Sequence, residues 1–518
     1  MEASGCCSAV SLFSLSSALL PLMALLLVLV LLYCALKPCC DCPVCSAYLT
    51  GQWNGEFHNL ADWYAALLEK SPTHTIHNHL LGNIITANPK NVEHMLVTRF
   101  DNYPKGKAFS AILHDLLGRG IFNVDGELWR SQRKMASFEL GSANVRGFVF
   151  GLVSDEIRQR LVPVMEAAER SGAGLDLQDV LRRFSFDCIC KASFGVDPRC
   201  LELSLPLSEF AHAFDSASQM SARRATTWTP YVWKAKRLLR VGSERELRDA
   251  VRKTHALAEE VIRRRRASVG SSKHRDLLSR FMGSTKDDRL LRDIVVSFLL
   301  AGRDTVAAAL TAFFWLVSCH PHVENSILDE ICRVASPLGE FTKETLADAS
   351  EITLEHKQLK DLHYLQAAIS ESMRLYPPVQ FDSKYAAQDD VLPDGTVVKK
   401  GTRVTYHPYA MGRMESIWGP DCRKFQPEKW LKNGVFVPDN PFKYPVFQAG
   451  SRVCLGKEIA FMQMKSVAVT ILWRFTIETK PCCRQLKFSP GLTANISGGL
   501  PVIVKPRTWG REPTHKKD

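Results

Sequence analysis

The ten residues Phe447-Gln-Ala-Gly-Ser-Arg-Val-Cys-Leu-Gly456 set one cysteine, Cys454, between two glycines and behind an arginine. They lead into an apolar-faced run, Lys457 to Phe475, that has the pattern of a helix. A thiolate at the start of a helix is stabilised by the helix dipole and by backbone N–H groups, and such a thiolate can hold haem iron from the proximal side. Gly450 and Gly456 let the backbone turn tightly under a flat ring, and Arg452 is placed to reach a propionate. With 46% hydrophobic residues among 518, the chain can bury the core such a site needs. Most of the 16 cysteines read instead as small buried hydrophobes.

The loop matches, position for position, the F-x-x-G-x-R-x-C-x-G loop of the cytochrome P-450 superfamily of haem-thiolate monooxygenases, and the chain resembles that family at further places. In Gly126-Glu-Leu-Trp-Arg-Ser-Gln-Arg133, Trp129 and Arg133 are four apart and share one helix face. This resembles the family's W-x-x-x-R helix, which implies that Trp129 and Arg133 bind a haem propionate. By the same resemblance Phe447, Arg452 and Cys454 bind the cofactor, with Cys454 as the iron ligand.

Leu290 to His320 is a nearly continuous apolar run ended by Pro321, and predicts a helix buried on most sides. Inside it, Ala301-Gly-Arg-Asp-Thr305 puts an arginine, an aspartate and a threonine where burial is costly unless they are paired. The segment resembles the family's A-G-x-[DE]-T signature. The resemblance implies that Gly302 leaves room for bound oxygen and that Thr305 and Asp304 deliver protons. Val306 departs from the second Thr or Ser of many members.

Glu371-Ser-Met-Arg374, followed by Leu375-Tyr-Pro-Pro378, matches the family's E-x-x-R helix. The third partner of that structural group comes from a P-E-R-[FW] segment, represented by Phe425-Gln-Pro-Glu-Lys-Trp430. Lys429 stands where arginine is usual and cannot make a planar two-pronged contact. Asp394-Gly395 predicts a hairpin between short strands. The wording from Phe381 to Glu415 is similar to plant members that oxidise fatty acyl chains at or near the terminal carbon. It is closest to the family of medium-chain fatty-acid ω-hydroxylases and jasmonoyl-amino acid oxidases.

Ala18 to Leu36 is an uncharged apolar stretch close to the length of a bilayer span, and Glu2 is the one side-chain charge before Lys37. It reads as an uncleaved anchor rather than a signal peptide, with the bulk of the chain cytosolic. Seven cysteines lie in the first 45 residues, including the run Lys37-Pro-Cys-Cys-Asp-Cys-Pro-Val-Cys45. Zinc binding, palmitoylation or free thiols are all open there. The net charge of +12 gathers between Arg223 and Arg275. Interleaved acids at helical spacing make this a solvated helix face, or a contact with anionic lipid, rather than a nucleic-acid site. The aromatics from Thr227 to Trp233 either dip into lipid or close the fold.

The expectation is therefore a mainly α fold with a small β region, the cytochrome P-450 fold, behind an N-terminal transmembrane anchor. Its parts are an anchor (1–37), a linker (38–59), a haem-thiolate monooxygenase domain (60–507) and a tail (508–518). The resemblance implies haem b, with O2 and NADPH as co-substrates. No dinucleotide-binding G-x-G-x-x-G follows a strand, so electrons would come from a separate NADPH-cytochrome P-450 reductase at the endoplasmic reticulum membrane. The implied substrate is a lipophilic carboxylate, a jasmonoyl-amino acid ahead of a medium-chain fatty acid. Arg223 or Arg224 would hold its carboxylate. Phe298, Leu299, Val379, Phe381 and Leu492 to Ile496 would line the pocket. The alternatives are a haem-thiolate isomerase or dehydratase of hydroperoxides, and a non-catalytic membrane haem protein.

Overall fold

A computed structural model describes residues 21–30, 40, 42–202, 209–227, 230–267, 277–336, 354–479, 486–489 and 491–509. The body is helical around one element, the 31-residue helix Asp288–Ser318. Asp287 starts it by accepting the N–H groups of Arg289 and Leu290 at 3.0 and 3.1 Å, and the next helix begins at Pro321. By length and composition this helix could cross a membrane, yet 72% of its most apolar window is buried inside the protein. It is therefore the core on which the helices Leu177–Phe194, Ser243–Ala267 and His363–Leu375 pack.

The β region is small, as expected. One four-stranded sheet runs in the order Thr75–Asn78, Asn83–Thr86, Arg403–Tyr406, Asp382–Tyr385, with only the middle pair parallel. Gly82, at φ 55°, turns the first hairpin, and Asn88 caps the following helix by accepting the Lys90 N–H at 3.0 Å. A three-stranded sheet joins Phe475–Thr479, Pro501–Pro506 and Leu175–Asp176. The predicted hairpin around Asp394-Gly395 pairs Asp390–Val391 with Val397–Val398. Asp394 also accepts hydrogen bonds from Thr75 (2.6 Å) and Asn91 (2.7 Å), which dock the hairpin on the large sheet.

The family-like pair on His363–Leu375 is wholly buried. Arg374 grips Glu371 through two hydrogen bonds of 2.7 Å, and its remaining N–H groups reach the carbonyls of Gly412, Cys422 and Lys424. The third partner of Glu371 is the indole N–H of Trp430 (2.8 Å) together with the Gln426 N–H (3.1 Å). Lys429 donates instead to the Asp421 carbonyl at 2.8 Å. The substitution has moved the third contact one residue along the chain.

Of the expected anchor, residues 18–20 and 31–36 lie outside the described residues. Pro21–Val30 within it is a helix of exposed apolar side chains. In the basic stretch, Arg263 and Arg264 pair with Glu260 at 2.5 Å, and Arg266 pairs with Asp288. Trp233 is buried under Arg224, whose guanidinium lies 4.6 Å from the ring centre, whereas Tyr231, Leu238 and Leu239 on the same helix are exposed. Residues 228 and 229, and the tail from 510, lie outside the described residues.

Candidate active site around Cys454

The cysteine loop is held by its own backbone. Cys454 N–H donates to the Phe447 carbonyl (2.7 Å), Val453 N–H to Gly450 (3.1 Å), and Ala460 N–H to Gly456 (2.8 Å), which closes the first turn of the helix Lys457–Arg474. Gly450 has φ +61°, and a Cβ there would sit 2.4 Å from the Leu96 carbonyl oxygen, so glycine is required on both counts. Phe447 packs its ring on Phe461, 5.2 Å between centroids. The Cys454 thiol opens into a cavity of about 400 Å³. Burial pushes it above the usual thiol range, opposed by the Gly456 N–H and by the charges of Arg133 and Lys457.

Across this cavity runs one face of the central helix. Phe298, Gly302 and Thr305, at i, i+4 and i+7, all line it. Leu299, expected on the wall, is rotated by about one-quarter turn and belongs to the buried core instead. Phe381 is likewise absent from the wall. It lies in an irregular segment before the strand Asp382–Tyr385, where strand alternation from Val379 does not hold, and its ring meets His407. Val379, Leu492 and Thr493 do line the cavity. Thr305 donates its hydroxyl proton to the Ala301 carbonyl at 2.6 Å, which leaves its oxygen lone pairs to accept a bond from the cavity side.

Gly302 has a second role beyond the cavity. A Cβ there would meet Ile189 Cδ1 at 2.5 Å, so the glycine lets Leu177–Phe194 approach closely. Asp304 is buried beside the cavity rather than in its lining. Burial raises its carboxyl, while Arg303, 3.5 Å away, and Arg182 pull it down. Arg303 in turn pairs with Asp215 on the helix Glu209–Thr226, and its guanidinium lies 5.6 Å from the centroids of Phe186 and Phe214. The charges of the buried motif are thus paired, while Arg303 Nε and Asp304 Oδ1 are left without a hydrogen-bond partner.

The opposite rim is basic. Lys105, Arg133 and Arg452 line the cavity, and Lys384 sits behind them at 1% exposure. Asp382 takes Lys105, Lys384 (2.9 Å), the Tyr406 hydroxyl (3.1 Å) and the Gln448 amide (3.2 Å). Arg452 pairs with Asp125 at 2.6 Å under the Trp129 ring, its guanidinium 4.4 Å from the ring centre, and leaves its buried Nε without a partner. Burial first, then the charges of Lys105 and Arg452, draw the Lys384 ammonium down to about 7 against the pull of Asp382. Lys105, Arg133 and Arg452, with Lys384 behind them, thus outweigh the carboxylates of Asp382 and Asp125 and leave an excess of positive charge. A haem has two propionates, and the rim fits them with Arg133, Arg452 and Lys105 as the holding groups and Trp129 as the cover over Arg452.

Sequence reasoning missed Lys105, Asp382 and Lys384, because the Lys105 and Asp382 partners are 277 positions apart and only the fold joins them. It also missed Ile121 and Phe122, which line the cavity. Their signal was present in Gly118 and Gly120. A Cβ on either would fall about 2 Å from Asp293 or Ser297 of the central helix, and the Arg119 N–H between them donates to Asp293 at 2.8 Å. The loop is pinned there and projects the next two residues inward. Arg224, expected to hold a substrate carboxylate, is 4% exposed and committed to Glu244 (2.5 Å) and Asp115 (2.8 Å). Neither it nor Arg223 lines the cavity.

Lys105→Met removes one charge-assisted contact from the rim and is expected to speed haem loss about tenfold or more. Transfer of haem to an excess of a scavenging apoprotein measures this. Loading with haem dimethyl ester should erase most of the difference between variant and wild type. Equal loss rates with native haem would exclude Lys105 as a holding group.

A family model described as Cytochrome P450 matches residues 48–498. The chain is 56% identical over 475 residues to "Cytochrome P450 94C1" of Arabidopsis thaliana, covering 90% of this chain and 94% of that one. It is 47% identical over 469 residues to "Cytochrome P450 94B1" of the same plant, covering 88% and 89%. With "Cytochrome P450 94A1" of Vicia sativa it shares 42% over 479 residues, covering 90% of each. A crystal structure of the haem domain of cytochrome P450DA superposes with a TM-score of 0.68 at 22% identity, covering 82% of this chain and 88% of that chain.

Proposed function

Since the chain belongs to the cytochrome P450 family, and within it to the group numbered 94, we propose that it hydroxylates a carboxylate-bearing oxylipin or fatty acid at or near its terminal carbon. The family makes it a haem-thiolate monooxygenase acting on fatty acids or oxylipins. The finer ranking, a jasmonoyl-amino acid ahead of a medium-chain fatty acid, rests on the resemblance of the stretch Phe381 to Glu415, and oxidation at a hydrocarbon terminus rests on one observation of the cavity. The cavity wall facing Thr305 is built from Ile121, Phe122, Phe298, Val379 and Leu492, an apolar lining suited to a hydrocarbon terminus.

Haem, held through the Cys454 thiolate, supplies the activation of dioxygen. The protein's residues position and protect. The apolar wall fixes the acyl end and excludes water from it. Thr305 offers a hydroxyl whose donor is engaged with Ala301, so it accepts a proton-bearing partner from the cavity and passes a proton on by rotating. Asp304, one residue before Thr305, would supply protons to that relay, its charge set by Arg303, which pairs in turn with Asp215. The cations on the cavity rim are grouped where propionates would sit, and Arg224 is consumed by its own ion pairs, so neither is free to hold a substrate carboxylate. Electrons would reach the site from NADPH through a separate reductase, with the protein anchored in the endoplasmic reticulum membrane and its catalytic domain cytosolic.

The test is incubation with reductase, NADPH and, in parallel, jasmonoyl-isoleucine, its 12-hydroxy derivative and dodecanoic acid, with products identified by mass spectrometry. Reductase-dependent gain of one oxygen at the far end of the conjugate, faster than on dodecanoic acid, is expected. Oxidation restricted to terpenoid, sterol or phenolic substrates would overturn the assignment.

A further inference from the structure

Where the chain enters the folded body, three thiols converge. The Sγ atoms of Cys40, Cys42 and Cys45 all lie within 4.8 Å of one another. Two backbone N–H groups point at them. Cys42 caps the helix Pro43–Thr50 and its sulfur accepts the Cys45 N–H at 3.4 Å. The Cys45 sulfur accepts the Leu80 N–H, also at 3.4 Å, from the turn of the first hairpin. Cys45 is 3% exposed, and Cys40 and Cys42 are half-buried.

Among the described residues the cluster holds three thiols, and a buried one is poorly accessible to an acylating enzyme. They suit a metal. Sulfurs bound tetrahedrally to zinc at about 2.3 Å stand roughly 3.8 Å apart, so closing this cluster on a cation needs shifts of about 1 Å. The spacing C-x-C-x-x-C adds a pair bracketing one turn at the helix start, a common arrangement for zinc ligands. N–H groups aimed at sulfur stabilise the thiolate form that a metal requires.

We propose that Cys40, Cys42 and Cys45 form a structural zinc site, with three thiolates and a water as ligands. Binding displaces the thiol protons to solvent. Its effect is to tie Cys40 and Cys42 to the first turn of the helix Pro43–Thr50, whose Cys45 sulfur also takes the Leu80 N–H of the first hairpin.

The experiment uses the full chain, haem-loaded and purified in detergent under reducing conditions, given excess Zn2+ and then desalted. About one zinc per chain is expected by elemental analysis, and Co2+ in its place should show thiolate-to-cobalt charge-transfer absorption. Cys42→Ser and Cys40→Ser are each expected to reduce retained zinc to about one-tenth or less with an unchanged haem spectrum. Serine is a good helix cap, so the first variant keeps the local fold. Cys319→Ser, at an exposed cysteine elsewhere, should retain zinc fully. The proposal is overturned if wild type retains no zinc, if the Cys40 and Cys42 variants retain as much as wild type, or if mass spectrometry finds a Cys42–Cys45 disulfide or an acyl thioester in this segment.

Discussion

Arg374→Leu is expected to abolish recovery of folded, haem-loaded protein. Both side chains of the Arg374–Glu371 pair are fully buried, and the arginine also serves three backbone carbonyls from the 412–424 segment. Removing it strands a buried carboxylate and three acceptors, a loss of about 3–5 kcal/mol or more against a total stability of roughly 5–15 kcal/mol. Glu371→Gln should be milder, since a neutral amide still accepts the Trp430 indole proton. Lys429→Ala should change the urea midpoint very little, because Lys429 bonds an exposed carbonyl and leaves Glu371 untouched. A Lys429 variant as unstable as the Arg374 variant would show that the third corner had been misassigned to Trp430.

Cys454→Ser is expected to remove the thiolate signature entirely, the red-shifted Soret band of the ferrous carbon monoxide complex, and with it all NADPH-dependent product. The change is small in volume, and the loop is held by the N–H groups of Cys454 and Val453 rather than by the sulfur. Far-ultraviolet circular dichroism should therefore stay at wild-type values. The separation of fold from signature is the point of the experiment. Survival of the shifted band in the purified variant would mean that another group holds the iron.

Much of the fold was legible because it rests on local patterns. The helix Leu60–Lys70, the strands on either side of Gly82 and the hairpin at Asp394-Gly395 follow from periodicity and turn chemistry. The cysteine loop and the A-G-R-D-T run were legible too, because each places costly residues where only a site would explain them. What sequence could not supply was rotation and pairing. Phe298 and Leu299 are neighbours in the chain, yet one faces the cavity and the other the core. Arg224 looked available for substrate until Asp115 and Glu244, each at least 20 positions away, were brought to it. The Lys105–Asp382–Lys384 cluster is a product of tertiary contact alone.

Asp215 ties three helices at one point. This one carboxylate, on Glu209–Thr226, takes Arg303 of the central helix and Arg182 of Leu177–Phe194, the latter at 2.5 Å. Any motion that parts Glu209–Thr226 from the other two helices must separate Asp215 from two guanidiniums, each contact being of the charge-assisted kind that contributes about 1.5–3 kcal/mol. The packing of these three helices on one another therefore carries an ionic component that responds to salt. The junction also ends on Arg303, next to Asp304, so a displacement of Glu209–Thr226 would change the charge balance beside the carboxylate that would feed protons to Thr305.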